Sequence, residues 1–277
     1  MTTATTSAST ATAPIEISHV VLTVHDLAAM RAFYQTALGL QPLSSDGTAV
    51  RLGTGNITLL ELRPDPAARR ASPREAGLFH TAFLMPNRAA LARWLIHAAD
   101  GGVQLQGASD HLVSEAIYLA DPEGNGIEIY ADRPRSAWHR ADGSIKMATE
   151  ALDLNRLAQS ADGPWHGAPT GAVVGHVHLQ VGDATKAANF WRDLIGMPVM
   201  ATYPGATFHG SGGYHHHVAA NIWNSRGAGP RSFPATGLAE LVLNAAEPEY
   251  QAIVSRAGSA RLADPWGTAI SLAPKAA

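Results

Sequence analysis

The chain has 277 residues, with 20 Lys and Arg against 23 Asp and Glu, for a formal net charge of −3. That balance lacks a basic stripe and lacks aromatic residues interleaved among Lys and Arg, so nucleic acid is not an expected partner. Cysteine is absent, which excludes disulfides, thiolate nucleophiles and Cys-ligated metals. Any ion must be held by nitrogen and oxygen, and the 13 histidines are where to look.

Residues 1–14, MTTATTSASTATAP, have neither a basic n-region nor an apolar h-region. They read as a disordered tail and not as a secretory signal. No run approaches the roughly 18 apolar residues of a membrane span. A cytoplasmic protein without a membrane partner is expected.

The segment ISHVVLTV alternates as a half-buried strand. Asp26 then caps a helix in which Leu27, Met30, Phe33, Tyr34 and Leu38 recur at helical spacing, and Gly39 ends it. The strand-like runs LQPLS, AVRLG and ITLLELR complete a β-α-β-β-β unit. A second unit starts at GLFHTAFLMP, continues through RAALARWLIHAADGG, and finishes with VQLQG, EAIYLADP and GIEIYAD. Residues 134–171, rich in Pro, Gly and polar residues, read as a connector.

Beyond it, VVGHVHLQVGDATKAANFWRDLIG repeats the opening of the first unit. His176 stands for His19, Phe190 for Phe33 and Gly196 for Gly39, each offset by 157 positions (176 − 19, 190 − 33, 196 − 39). GLAELVL then echoes GLFHTAF, and ADPWGTAISL echoes ADPEGNGIEI. The second half is therefore a copy of the first with a shortened last unit. The expected fold is α+β, with two domains, residues 15–133 and 172–277. Each would pair two units into a curved, partly open barrel enclosing a cleft.

Within residues 15–133, His19 and His80 hold matching places in two first strands, and Glu128 lies in a last strand. Two imidazoles and a carboxylate at such positions form an expected divalent-metal site with open coordination positions. That set suits Fe(II) activating oxygen, or Mn(II), better than a structural zinc. In the copy, Glu240 answers His80 and Ser271 answers Glu128, leaving the triad incomplete. A second site from His176, Glu240, His215 and His217 is a lesser expectation, since GGYHHHVAANIW reads as a fourth strand with His215 and His217 on one face. The alternative is that this cluster shapes an interdomain surface or hydrogen-bonds buried backbone.

The fold grammar resembles the vicinal-oxygen-chelate superfamily (glyoxalase, bleomycin resistance, extradiol dioxygenase). HLVSEAIYLADPEGNGIE resembles the extradiol signature within it, through His111, Ile117-Tyr118, Asp121-Pro122, Gly124 and Glu128. GLFHTAFL, GIEIYADRPR and GGYHHH are similar to stretches of the CatE-type catechol 2,3-dioxygenase subgroup. The resemblance implies ring opening of a small aromatic diol by molecular oxygen at Fe(II). His111 and Tyr118 would then orient the substrate through hydrogen bonds. It also implies an acid–base His near the end of the first unit of the catalytic domain, where ITLLELRPD has none. Either His111, another histidine or a different proton route would serve instead. The same scaffold also suits a glyoxalase-like isomerase or lyase, or a non-catalytic small-molecule binder, and such folds often form homo-oligomers.

Overall fold

A computed structural model describes residues 9–140 and 142–275. The first unit comprises β1 (Ile15–Val24), α1 (Leu27–Ala37), β2 (Gln41–Ser45), β3 (Val50–Thr54) and β4 (Ile57–Pro64). The second comprises β5 (Gly77–Leu84), α2 (Arg88–Asp100), β6 (Leu105–Asp110), β7 (Ser114–Ala120) and β8 (Gly126–Asp132). The connector carries β9 (Glu150–Ala151) and α3 (Leu154–Ala158). The third unit runs through β10 (Val173–Gln180), α4 (Ala184–Asn189), β11 (Val199–Tyr203), β12 (Ala206–His209) and β13 (Val218–Asn221). The fourth holds β14 (Gly237–Ala245), α5 (Glu247–Ala257), β15 (Arg261–Ala263) and β16 (Ala269–Pro274).

Local chemistry sets the helix starts. Asp26 accepts from the Ala29 N–H, Asn87 from Ala90, and Asp183 from Thr185 and Lys186. Each satisfies donors that the first helical turn would leave orphaned. After α1, Gly39 takes φ +70°, and its repeat counterpart Gly196 takes φ +90°, a left-handed conformation that favours glycine. No described helix is long and apolar enough to cross a membrane.

The four units form two sheets, but in a different partnership from the one the sequence suggests. One sheet has the order β15-β16-β14-β1-β4-β3-β2, and the other β11-β12-β13-β10-β5-β8-β7-β6-β9. The first unit thus pairs with the fourth through antiparallel β1 and β14, and the second with the third through antiparallel β5 and β10. Residues 15–133 and 172–277 are therefore not two self-paired barrels. Every first strand carries the same alternation and offers the same free edge, so the repeat demands a partner without naming it.

The connector makes the observed choice geometrically available. Its β9 adds to the β6 edge, with Ser109 opposite Ala151 and Asp110 opposite Glu150, while α3 packs on α2. Residues 9–14 also depart from the expected disordered tail. Ala11 and Ala13 are buried, Arg135 donates to the Thr10 carbonyl at 2.6 Å, and Ala246 N–H donates to the Pro14 carbonyl. Residues 1–8 lie outside the described residues.

One apolar core joins both sheets through the helices. Met30 and Tyr34 of α1 are buried with Leu91, Trp94 and Leu95 of α2, and the Trp94 indole N–H donates to the Ala37 carbonyl at the end of α1 at 2.9 Å. Trp94→Ala should therefore cost about 3–5 kcal/mol in urea unfolding, combining lost burial with a cavity; a cost below about 1 kcal/mol would contradict this packing.

Buried histidines add an acid-sensitive element. Burial pushes His209 down to about 4 and His217 down to about 3. Their folded pKa values lie below the unfolded value near 6.5, so the unfolded chain binds protons first as pH falls. Stability present above pH 6.5 should be lost progressively toward pH 4, by up to a few kcal/mol per residue. Urea melts at pH 7, 5.5 and 4.5 should show a shallower pH slope for His217→Gln than for the parent chain.

Candidate metal centre and its cavity

In the second sheet, parallel β5 and β8 place Ala82 opposite Glu128, and antiparallel β5 and β10 place Ala82 opposite His176. Side chains alternate along a strand, so His80, two residues before Ala82, shares that face. The three side chains converge, with Glu128 Oε2 3.0 Å from His80 Nε2 and 3.3 Å from His176 Nε2. One ligand atom from each lies within 4.8 Å of the others, and all three residues are buried. The expected triad of His19, His80 and Glu128 is thus corrected to His80, Glu128 and His176.

His19 belongs to the other sheet, where the register explains its company. Val21, two residues after His19, lies opposite Glu61 on β4 and opposite Glu240 on β14, as Ala82 lies opposite Glu128 and His176. His19, Glu61 and Glu240 therefore occupy the places of His80, Glu128 and His176. Here arginines do the neutralising. Glu61 is held by Arg51 at 2.6 Å and Arg63 at 2.7 Å, and Arg63 also reaches Glu240 at 3.1 Å. Burial works against ionising Glu61, but these guanidinium groups prevail and lower its pKa. Glu61 was missed as a counterpart of Glu128. The signal was its two-residue offset from His19 across the parallel pair.

The charge state of the second-sheet triad fits a cation. Burial lowers His176 to about 4, so its imidazole is neutral near pH 7. Burial acts to raise the Glu128 carboxyl, yet the adjoining His176 and His80 outweigh it and hold the pKa well below the usual range. Because attraction to His176 operates only when that ring is protonated, at neutral pH Glu128 is a buried carboxylate facing neutral His176. Among the described residues no Lys or Arg pairs with it. A buried, uncompensated charge is costly. His80 Nε2 is moreover buried without a hydrogen-bond partner, since its approach to Glu128 is close but misaligned. Two imidazoles and a carboxylate aimed at one point are a donor set for a divalent ion.

The triad lines a cavity of about 720 Å³. His111 and Tyr118 line it too, as the sequence suggests. The Tyr118 hydroxyl lies 2.6 Å from His111 Nε2, and His111 Nδ1 lies 2.7 Å from the Ala148 carbonyl. That carbonyl can only accept, so Nδ1 carries the proton and the tyrosine donates to Nε2. Burial and the nearby Glu128 raise Tyr118 well above its ordinary pKa. The Asp-Pro-x-Gly run is structural: the Asp121 carboxylate accepts from the Glu123 and Asn125 backbones, from Asn125 Nδ2 and from the Tyr34 hydroxyl of α1. It fixes the turn that launches β8.

The expected second site from His176, His215, His217 and Glu240 does not assemble. His176 joins the triad and Glu240 lies in the other sheet, bonded to Ser271. The strand β13 starts only at Val218, after the histidines. His217 Nε2 donates to the Ala11 carbonyl at 2.8 Å while its Nδ1 accepts from Ser211 N–H, so it satisfies buried backbone. His215 bonds Asp132 and His216. His216, which the sequence did not single out from its neighbours, lines the cavity with its ring centroid 4.1 Å from that of His176. His178, also unforeseen, lines it beside His80 and accepts from Asn221 Nδ2 at 3.0 Å.

Comparison with known proteins follows the same lines. A catechol-2,3-dioxygenase of Bacillus subtilis (strain 168) is 40% identical over 228 residues, 80% of each chain. Biphenyl-2,3-diol 1,2-dioxygenase 3 of Rhodococcus globerulus is 28% identical over 119 residues, covering 42% of this chain and 63% of its own. Glyoxalase I from Zea mays shares the fold with a TM-score of 0.57 at 15% identity, over 93% of this chain and 92% of that one. The profile of one family matches residues 16–129 and 173–259, and the chain belongs to that family, the Glyoxalase/Bleomycin resistance protein/Dioxygenase superfamily.

Proposed function

We propose that the protein is an Fe(II)-dependent extradiol dioxygenase that opens the ring of a catechol-type substrate beside its two hydroxyls, adding both atoms of molecular oxygen. The observation that carries this reading is the convergence of His80, Glu128 and His176 on the wall of one cavity. The likeness to the Bacillus subtilis catechol-2,3-dioxygenase supports it.

His80, Glu128 and His176 would hold the ion, which when bound supplies a Lewis-acidic, redox-active centre with open coordination positions. The remaining work falls to side chains. Phe79, Phe208 and Trp223 give the cavity an aromatic wall, which suits a planar ring and excludes water around it. His111 and Tyr118, already locked to each other, place a hydroxyl beside the substrate oxygens and orient the diol.

His216 is our assignment for the acid–base residue. Its Nε2 would take a proton from a diol hydroxyl as the substrate binds and return it as the ring opens. Such a residue is expected near the end of the unit that partners the Glu128 unit. The partner is the third unit, not the first, and there His216 lies two residues before β13 and lines the cavity. Burial holds its pKa well below the ordinary value, leaving it neutral and able to accept.

His80→Ala, Glu128→Ala and His176→Ala should each lose the bound metal, read by elemental analysis, and lower oxygen uptake with catechol by at least about 100-fold. His19→Ala should keep both. Metal-loaded parent protein that consumed no oxygen with any of a panel of catechols would overturn the reading, and turnover without oxygen would favour an isomerase or lyase instead. His216→Ala should retain metal while kcat falls by about 10²- to 10⁴-fold; an unchanged kcat would remove His216 from the chemistry.

A further inference from the structure

Glu128, Tyr130 and Asp132 share one face of β8 by alternation. Glu128 belongs to the metal triad, whereas Asp132, four residues on, ends in a chain of buried polar contacts leading back to the same cavity. Asp132 Oδ1 lies 2.8 Å from His215 Nε2, and His215 Nδ1 lies 2.8 Å from His216 Nδ1. The His215 side chain is 0% and the Asp132 side chain 1% exposed.

Hydrogen-bond direction along this chain is constrained. The Asp132 carboxylate can only accept, so His215 Nε2 must carry a proton. A neutral His215 then has a bare lone pair at Nδ1, and His216 Nδ1 must donate to it. That leaves the lone pair of His216 at Nε2, the nitrogen without a hydrogen-bond partner among the described residues, on the ring that lines the cavity. Without the carboxylate, the two-imidazole contact is equally satisfied with donor and acceptor exchanged, and His216 Nε2 would then carry a proton.

The surroundings hold the chain in place. Trp138 packs edge-on to His215 at 4.9 Å between centroids, and the Tyr214 ring lies at 4.1 Å from it, tilted by 32°. Tyr214 is itself fixed by a 2.7 Å hydroxyl contact with Tyr130. The second Asp132 oxygen accepts from the Thr10 hydroxyl at 2.5 Å, so the segment before β1 closes over the far end. Such enclosure hinders rotation of the His215 imidazole.

We propose that Asp132 and His215 are positioning residues that fix the tautomer of His216, keeping its Nε2 lone pair toward the cavity. The proposal rests on the assignment of His216 above but concerns different residues and has its own readout. In the Zn(II)-loaded, ¹⁵N-labelled protein, long-range ¹H–¹⁵N spectra should show His215 protonated at Nε2 and His216 protonated at Nδ1. In Asp132→Asn the amide can donate to His215, and both rings should become mixed or inverted. With iron restored, the same variant should lose about 10²-fold or more in kcat while KM for catechol stays within about threefold, and Asp132→Glu should recover part of the loss.

A parent His216 protonated at Nε2 would overturn the proposal whether or not any variant folds, as would Asp132→Asn with unchanged tautomers and unchanged kcat. If instead the parent protein had no dioxygenase turnover but showed the stated tautomers, the functional reading would fail and the positioning of His216 would stand.

Discussion

The antiparallel pairing of β5 with β10 is the constraint on which the site depends. It sets His176 opposite Ala82 and His80 opposite His178, and the parallel addition of β8 to β5 sets Glu128 opposite Ala82 from the other side. Three candidate ligands from three strands are therefore fixed by two registers. A slip of one residue in either would turn a whole strand's side chains to the opposite face. The connector and the segment before β1 support this arrangement. One extends the sheet beyond β6, supplies the carbonyl that orients His111, and the other closes over Asp132 and His217.

The two sheets give different answers to one electrostatic problem. Each places a carboxylate at the same topological position, Glu128 in one and Glu61 in the other, and each buries it to 3% exposure. In the first-and-fourth-unit sheet Arg51 and Arg63 flank the carboxylate, so the charge is balanced internally. In the second-and-third-unit sheet the neighbours are imidazoles, and burial keeps His176 neutral. That carboxylate has no Lys or Arg partner among the described residues, and a divalent cation would balance it. Around the retained acid the equivalent positions differ: Glu240 stands where the other sheet has His176, and Arg51 and Arg63 stand where Tyr118 and Tyr130 flank Glu128.

Around the open cleft, histidines are sorted by what their second nitrogen meets. His217 is spent on backbone and His111 is paired with Tyr118, whereas His216 keeps one nitrogen free while the other is tied inward. Residues of identical type and adjacent number therefore do unlike things. What separates His216 from His217 is not an intrinsic preference of either residue but the segment before β13, which turns one ring to the cavity and the other to the Ala11 carbonyl.

The sequence by itself determined whatever short-range chemistry controls: the four-unit repeat, the capped helices, the turn built on Asp121, and the presence of His80, His111, Tyr118 and Glu128 in one unit. These follow from spacing along a single strand or hairpin. It also carried the equivalence of His19 and His176, but not which of them meets His80. That choice lay with tertiary structure, because four first strands with the same alternation present interchangeable edges. Only the registers of β1 on β14 and β5 on β10 select among them. Once the third unit is the partner, His176 enters the triad, His19 falls among arginines, and the acid–base histidine is sought before β13 instead of in β4.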